Sequence, residues 1–437
     1  MKPMDLLRRL LDHRLAHQAG EMVIWQILSR GLAFFASAWA ARCLGPEKLG
    51  ISGMIVATTV QAGLFIVLNL DLLLTRRFKA TNDATAREEL ITTVFTFRMV
   101  AGGVLGVAGV VVGLLWFPAP QWRLGILAAL PMLLANGDPP GWLLMGQENM
   151  PANSRAGALQ SLAIAVLYFL FFRPGQAAGS DIVVGAVGAC VAFAVGWQAA
   201  LGRLWPLPFR FRTLARAWPL ISEGRWLSFS GIVIYIYCFA DAPLIGYLYS
   251  LTELGTYRTA LMAIGAVNQL LSFIPLLLFP RMLSWKNTGP NMLWRRQNKL
   301  ALAATLIFVF LAGLNFGVIG WVYPKVFGPV FSRAAYPFAI LLIARFVANI
   351  GQLYGLGLWA YGEDKKVFLL MAATAGISLL LNLLLIPRYG MWAAVLVNLL
   401  SELIIAIGCW WMAKLKHFLV TEEMGLSAPE MSRQLGI

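Results

Sequence analysis

Charge is scarce in these 437 residues. Only 13% are Asp, Glu, Lys or Arg, against about 25% in soluble domains, and acids are the rarer sign, 20 against 35 Lys and Arg. Histidine occurs three times, at His13, His17 and His417 in the terminal segments. No His/Cys/Glu cluster has the spacing of metal ligands, so no metal and no cofactor is expected. The four cysteines (Cys43, Cys190, Cys238, Cys409) fall at the end of or inside separate apolar segments, without CxxC spacing, which excludes a secreted disulfide framework. There is no GxxxxGK[ST] loop, so no nucleotide hydrolysis is expected. A cleavable signal is also absent from the pattern: residues 1 to 20 are polar and basic, and the first apolar run is a full span.

What the chain has instead is apolar length. The AVILMFWYC class makes up 59% of it, against a usual 45 to 50%. That is enough for about a dozen runs of some 20 residues, each able to cross a hydrocarbon core of about 30 Å. Breaks at Gly, Pro and charge clusters place spans near 22–41, 51–75, 90–116, 124–145, 156–172, 182–204, 226–249, 258–280, 300–322, 336–360, 367–386 and 391–413. The runs are continuous, whereas barrel strands alternate, so the expected class is an all-α integral membrane protein with twelve transmembrane helices. A soluble enzyme is excluded. The loops are short, no more than about 25 residues, which leaves little room for a catalytic domain outside the membrane.

The basic residues give orientation. Cytoplasmic loops retain Lys and Arg, and the N-terminus with the even-numbered loops and the tail holds 24 of the 35, against eight in the odd loops. Both termini are therefore expected in the cytoplasm. The formal charge of +15 then follows from topology and attraction to anionic lipid headgroups, with membrane lipids as partners. The cations are scattered rather than gathered in a stripe, so nucleic acid is not an expected partner. Residues 4 to 17 place Leu7, Leu11 and Leu15 on one helical face, the pattern of an interfacial anchor.

Weak internal similarity divides the chain. LGPEKLG at 44–50 follows the first span and LTELG at 251–255 the seventh; Gly146-Gln147-Glu148 closes the fourth and Gly362-Glu363-Asp364 the tenth; Arg173-Pro174-Gly175 follows the fifth and Pro387-Arg388 the eleventh. Matches in order with even spacing predict two six-helix lobes of one orientation around a central cavity. The expected organisation is an amphipathic N-terminus at 1–21, an N-lobe at 22–205, a cytoplasmic linker at 206–225, a C-lobe at 226–413 and a cytoplasmic tail at 414–437.

Charges inside the spans are the candidate site. A charge at mid-bilayer costs about 2.5 to 3.5 kcal/mol even on the insertion scale, so it faces a cavity or a partner. Arg30 lies about 12 Å into the first span at 1.5 Å per residue, with Gln26, Ala33 and Ser37 on its face. Arg345 is followed on its face by Asn349 and Gln352. Both arginines read either as contacts for an anionic substrate or as partners of a neighbouring carboxylate. Arg98, near the cytoplasmic end of the third span, is a further candidate, or a side chain that snorkels outward. Asp241, with Tyr237 one turn earlier, and Glu402, with Asn398 one turn earlier, are candidates for ion coupling or for pairing with an arginine. Asp138 sits in NGDPPGW, where the fourth helix breaks, which reads as a hinge or part of a site. Asp71 reads as a mouth or capping residue. No catalytic residue is expected.

Four segments carry a resemblance to a known family: LSRGLAFFASAWAARCLGPEKLGISG at 28–53, WLLMGQENM at 142–150, YIYCFADAPLIGYLYSLTELGTYRTALM at 235–262 and FIPLLLFPRM at the end of the eighth span. The sequence resembles the O-antigen-type polysaccharide flippases of the multidrug/oligosaccharidyl-lipid/polysaccharide exporter superfamily. That resemblance implies a two-lobed transporter in the bacterial inner membrane. It would move a prenyl-pyrophosphate-linked oligosaccharide outward by alternating access, with a polysaccharide polymerase and other assembly proteins as partners. The related lipid II flippases carry a Ser-Arg pair in the first helix and an Arg-Asp pair six residues on; Ser29-Arg30 matches the first, but Ala36-Ser37 stands at the second, which implies a different glycan. The rival functions are a multidrug exporter of the same superfamily, which would need an acidic cavity, and a membrane-embedded polysaccharide polymerase or ligase, which would need a long polar loop.

Overall fold

A computed structural model of the chain describes residues 3–117, 119–202, 207–225, 239–271 and 290–423, with short stretches at 228–229, 231–233, 278, 282 and 285–286; for 3–23, Gln26, Leu72, Met150, Gln269, Leu270, Pro290, Asp364 and 421–423 only the backbone is described. The described residues are helical, with no strand among them. Eight of their helices are long and apolar enough to cross a membrane. The protein is an all-α integral membrane protein. Its contacts separate it into two compact units, Met1–Ile232 and Val233–Ile437.

The first unit begins with α1, Pro3–Val67. Its apolar part, residues 27–67, would be about 60 Å long if straight, twice the thickness of a bilayer core. It is not straight: Gly45 leaves the helix at φ 75° and ψ 172°, and Pro46 follows. A positive φ suits Gly, and Pro has no N–H for the interrupted ladder. The two spans expected at 22–41 and 51–75 therefore form one helix broken at Gly45. The second ends earlier than the apolar run suggests. Leu68 and Asn69 both take φ near 51°, and α2, Asp71–Ala80, starts as a separate helix.

Next come α3, Ala84–Trp116, capped by the Asp83 carboxylate on the amides of Thr85 and Ala86; α4, Pro120–Gly137; α5, Gly141–Gly146; α6, Met150–Phe171; and α7, Ser180–Leu201. The expected break in the fourth span is present: α4 stops at Gly137 and α5 starts after Pro140. Trp197 donates its indole N–H to the Asp138 carbonyl at 3.1 Å, which satisfies backbone that the break would leave bare. Gly179 enters α7 at φ 83°, and a Cβ there would lie 2.5 Å from the Gly125 nitrogen, so α4 and the start of α7 touch backbone to backbone. Beyond a 3-10 turn at Phe211–Arg216 lies α8, Ala217–Glu223.

The second unit contains α9, Asp241–Leu248; α10, Leu251–Leu271; α11, Pro290–Phe327; α12, Ala335–Ala360; α13, Asp364–Tyr389; and α14, Met391–Glu423. Helices α12 and α14 approach most closely, because Gly351 leaves room for Ala406: a Cβ at 351 would sit 2.7 Å from the Ala406 Cα. Much of the expected seventh span, including Tyr237, and the end of the eighth lie outside the described residues.

Candidate functional site

In the first unit four helices enclose a cavity of about 200 Å³. Its floor is built from small residues at helical spacing: Ala156 and Gly157 on α6, Ala189, Ala192 and Gly196 on α7, and Ala135 on α4. Without side chains beyond a methyl, those positions leave space between the helices. Polar groups stand on the walls: Ser29 and Arg30 from α1, Asn136 from the last turn of α4, and Asn153, Ser154 and Gln160 from α6. The break at 138–140 contributes Pro139 and Pro140. Ser29 locks α1 onto α6, donating to the Gly157 carbonyl at 3.2 Å and meeting the Ser161 hydroxyl at 2.9 Å. This fixes where Arg30 enters.

Arg30 is exposed to that space, and among the described residues no carboxylate lies within ion-pair distance of it. Among the described residues no Asp or Glu lines the cavity. The Gln26 side chain lies outside the described residues. Asn136, Asn153 and Gln160 were not singled out by the sequence reading. The signal available was the seven-residue spacing of Asn153 and Gln160 in an apolar helix, which puts both on one face.

Arg98 is held differently. It does not snorkel: its side chain is 1% exposed, and its guanidinium binds Asp71 at 2.6 Å, Asp138 at 3.2 Å and the Val67 carbonyl at 3.3 Å. The reason is the early end of α1, which brings the start of α2 and the broken end of α4 around α3. Asp71 is thus more than a mouth residue, since one of its oxygens closes a buried ion network. Asp138 is fully buried. The network ties two chain breaks, at 68–70 and at 138–140, to one side chain.

In the second unit Arg345 of α12 pairs with Glu402 of α14 at 3.1 Å and donates to the Asn398 side-chain oxygen at 3.3 Å. Asn349 donates to the Arg345 carbonyl at 2.8 Å, and Gln352 is exposed. The Asp241 carboxylate, 6% exposed, accepts a short hydrogen bond from the Tyr257 hydroxyl and one from the Ala242 amide at 2.8 Å. Outside the spans, Glu363 receives Lys366 and Lys416 at 2.9 Å each; these hydrogen bonds hold its carboxyl below the ordinary value. Among the described residues no group of three or more His, Cys, Asp or Glu could share a metal ion.

Among the described residues, the geometry is that of a helical membrane protein with a cationic cavity in its first unit that no Asp or Glu lines. A protein of Escherichia coli (strain K12), whose name provisionally assigns it O-antigen transport, is 22% identical over 369 residues, covering 80% of this chain and 83% of that one. Among solved structures, the lipid II flippase MurJ in an inward closed conformation superimposes with a TM-score of 0.67 at 13% identity, covering 91% of this chain and 89% of that one. An inward-facing multidrug resistance MATE family transporter of the MOP superfamily superimposes at 0.65, also at 13% identity, covering 90% and 96%. At that identity the likeness is one of fold. The sequence pattern of the polysaccharide biosynthesis protein family matches residues 17–286, more than half of the chain, and the protein belongs to that family.

Proposed function

We propose that the protein is a flippase that carries a prenyl-pyrophosphate-linked oligosaccharide across the bacterial inner membrane by alternating access, for surface polysaccharide assembly. The observation that carries this is Arg30: a guanidinium inside a membrane span, with no carboxylate among the described residues in ion-pair reach, facing a cavity walled by uncharged polar groups. A cation left unpaired at that depth is costly, and a pyrophosphate offers the missing partner through charge-assisted, bidentate hydrogen bonds. The family, in which polysaccharide biosynthesis is the common theme, supplies the context.

A drug-cation exporter would want carboxylates at this position, and the cavity lining has none. A polymerase or ligase would need a polar catalytic loop. On this reading Arg345 and Glu402 balance each other at rest, Asp241 and Glu402 are the groups through which an ion gradient would act, Asp138 and the break beside it form a hinge, and both termini lie in the cytoplasm. The test is depletion: lipid-linked oligosaccharide should accumulate on the cytoplasmic face, and Arg30→Ala at normal abundance should reproduce that accumulation. Export that continues undiminished in Arg30→Ala overturns the reading.

A further inference from the structure

The same cavity holds more polar chemistry than a pyrophosphate requires. Asn136, Asn153 and Gln160 present three carboxamides from two helices, Asn136 and Asn153 exposed and Gln160 half-buried, and none of the three makes a hydrogen bond to another described residue. Each offers a carbonyl acceptor and two N–H donors. Asn153 and Gln160 stand about 10.5 Å apart along α6, with the small side of Ala156 and Gly157 between them, so a flat ligand can lie against the helix. Carboxamides are poor partners for phosphate compared with cations, but a neighbouring pair of sugar hydroxyls, each both donor and acceptor, matches them.

We propose that Asn136, Asn153 and Gln160 select the first sugar of the cargo, and that this sugar is a single uncharged hexose ring. The inference rests on the flippase reading and specifies its substrate. Size sets the single ring: the cavity, at about 200 Å³, is smaller than the roughly 300 to 1,000 Å³ of pockets that enclose drug-sized ligands. An oligosaccharide cannot enter whole, so the sugars beyond the first remain outside. Charge sets the rest. Among the described residues of the cavity lining Arg30 is the one cation, and the pyrophosphate occupies it. A sugar carrying its own carboxylate would bring further negative charge to a place with no second cation to meet it.

The experiment uses the full chain in detergent micelles and three probes: a short-chain prenyl pyrophosphate without sugar, the same lipid bearing one neutral hexose, and the same lipid bearing one hexuronic acid. Binding is measured by titration calorimetry. In the wild type the neutral hexose should strengthen binding over the bare lipid, and the hexuronic acid should not. Asn153→Leu and Gln160→Leu should each weaken the hexosyl probe about tenfold, the worth of one or two buried hydrogen bonds, and leave the bare lipid within about twofold. Arg30→Ala should weaken all three. Asn153→Ser, a smaller change, guards against a leucine that disturbs folding, and thermal melting checks each variant.

The outcomes separate the two ideas. If the bare lipid binds but the hexose adds nothing, or if the carboxamide variants weaken bare and hexosyl probes alike, sugar selection is overturned while the flippase reading stands. If the hexuronic acid binds as well as the neutral hexose, the uncharged-ring assignment is overturned. If the wild type binds none of the probes, the flippase reading falls and takes this inference with it.

Discussion

The Arg98 network and the Arg30 cavity lie in one unit, on neighbouring apolar helices, and treat the same chemical group in opposite ways. Arg98 is sealed between Asp71, Asp138 and a main-chain carbonyl. Arg30 faces open space with uncharged neighbours. On the proposed function a guanidinium within membrane depth serves two ends here: where carboxylates surround it, it fastens chain breaks together, and where none of the described residues supplies one, it would receive an anionic ligand. What distinguishes the two is neither depth nor helix composition but whether carboxylates were placed within reach.

That contrast can be broken experimentally. The largest effect on stability should come from Arg98→Met, which leaves the fully buried Asp138 carboxylate without its cation beside a partly exposed Asp71; removing one partner of a buried ion pair costs about 3 to 5 kcal/mol. The measurement is the yield of monodisperse protein and its melting temperature. Adding Asp138→Asn should recover part of the loss, and an Arg98→Met protein as stable as wild type would show that the network is ornamental. Gly179→Ala comes next. It combines a positive φ with a Cβ 2.5 Å from the Gly125 backbone, and a cost of about 1 to 3 kcal/mol is expected from overpacking together with strain.

In the second unit, Arg345→Gln and Glu402→Gln should be non-additive, with a coupling of about 0.5 to 3 kcal/mol in a double-mutant cycle. Strict additivity would mean the pair is nominal. Glu363→Gln should cost under about 1 kcal/mol, as exposed ion pairs do. Its carboxyl titrates lower in the folded protein than in the unfolded chain. The wild type therefore holds this small advantage above the ordinary carboxyl range and loses it as pH falls through the folded value, whereas the variant should show no such loss in melting curves taken across acid pH. Smallest of all is the loss from Arg30→Ala: removing a cation that no described carboxylate balances should cost no stability while abolishing export. A large stability loss there would erase the distinction between the two arginines.

The spans were legible because lipid demands continuous apolar runs, and that demand is written locally. Ser29-Arg30 was legible for a related reason, since a charge set eight residues into such a run needs an explanation. The Arg98 network was not. Seeing it requires that α1 end at Val67, and leucines continue past that point to Leu74; Leu68 and Asn69 in left-handed geometry end it, and the one local sign was Asn69, a residue that tolerates that geometry. Arg345 and Glu402 were each visible as mid-span charges, but their pairing depends on the close approach of α12 and α14 at Gly351. The three carboxamides passed unremarked because a neutral amide within a span lacks the energetic penalty that draws attention to an arginine.

The floor of the cavity carries a consequence for how such a protein diversifies. Its depth is set by alanines and glycines, and at Gly157, where an added Cβ would meet nothing within 4 Å, or at half-buried Ala192, one methyl or hydroxymethyl would shallow it in small steps while the frame around it stays put. On the flippase reading, cargo preference would thereby be uncoupled from folding, and a lineage could retune what it carries by single base changes without having to reinvent the machine.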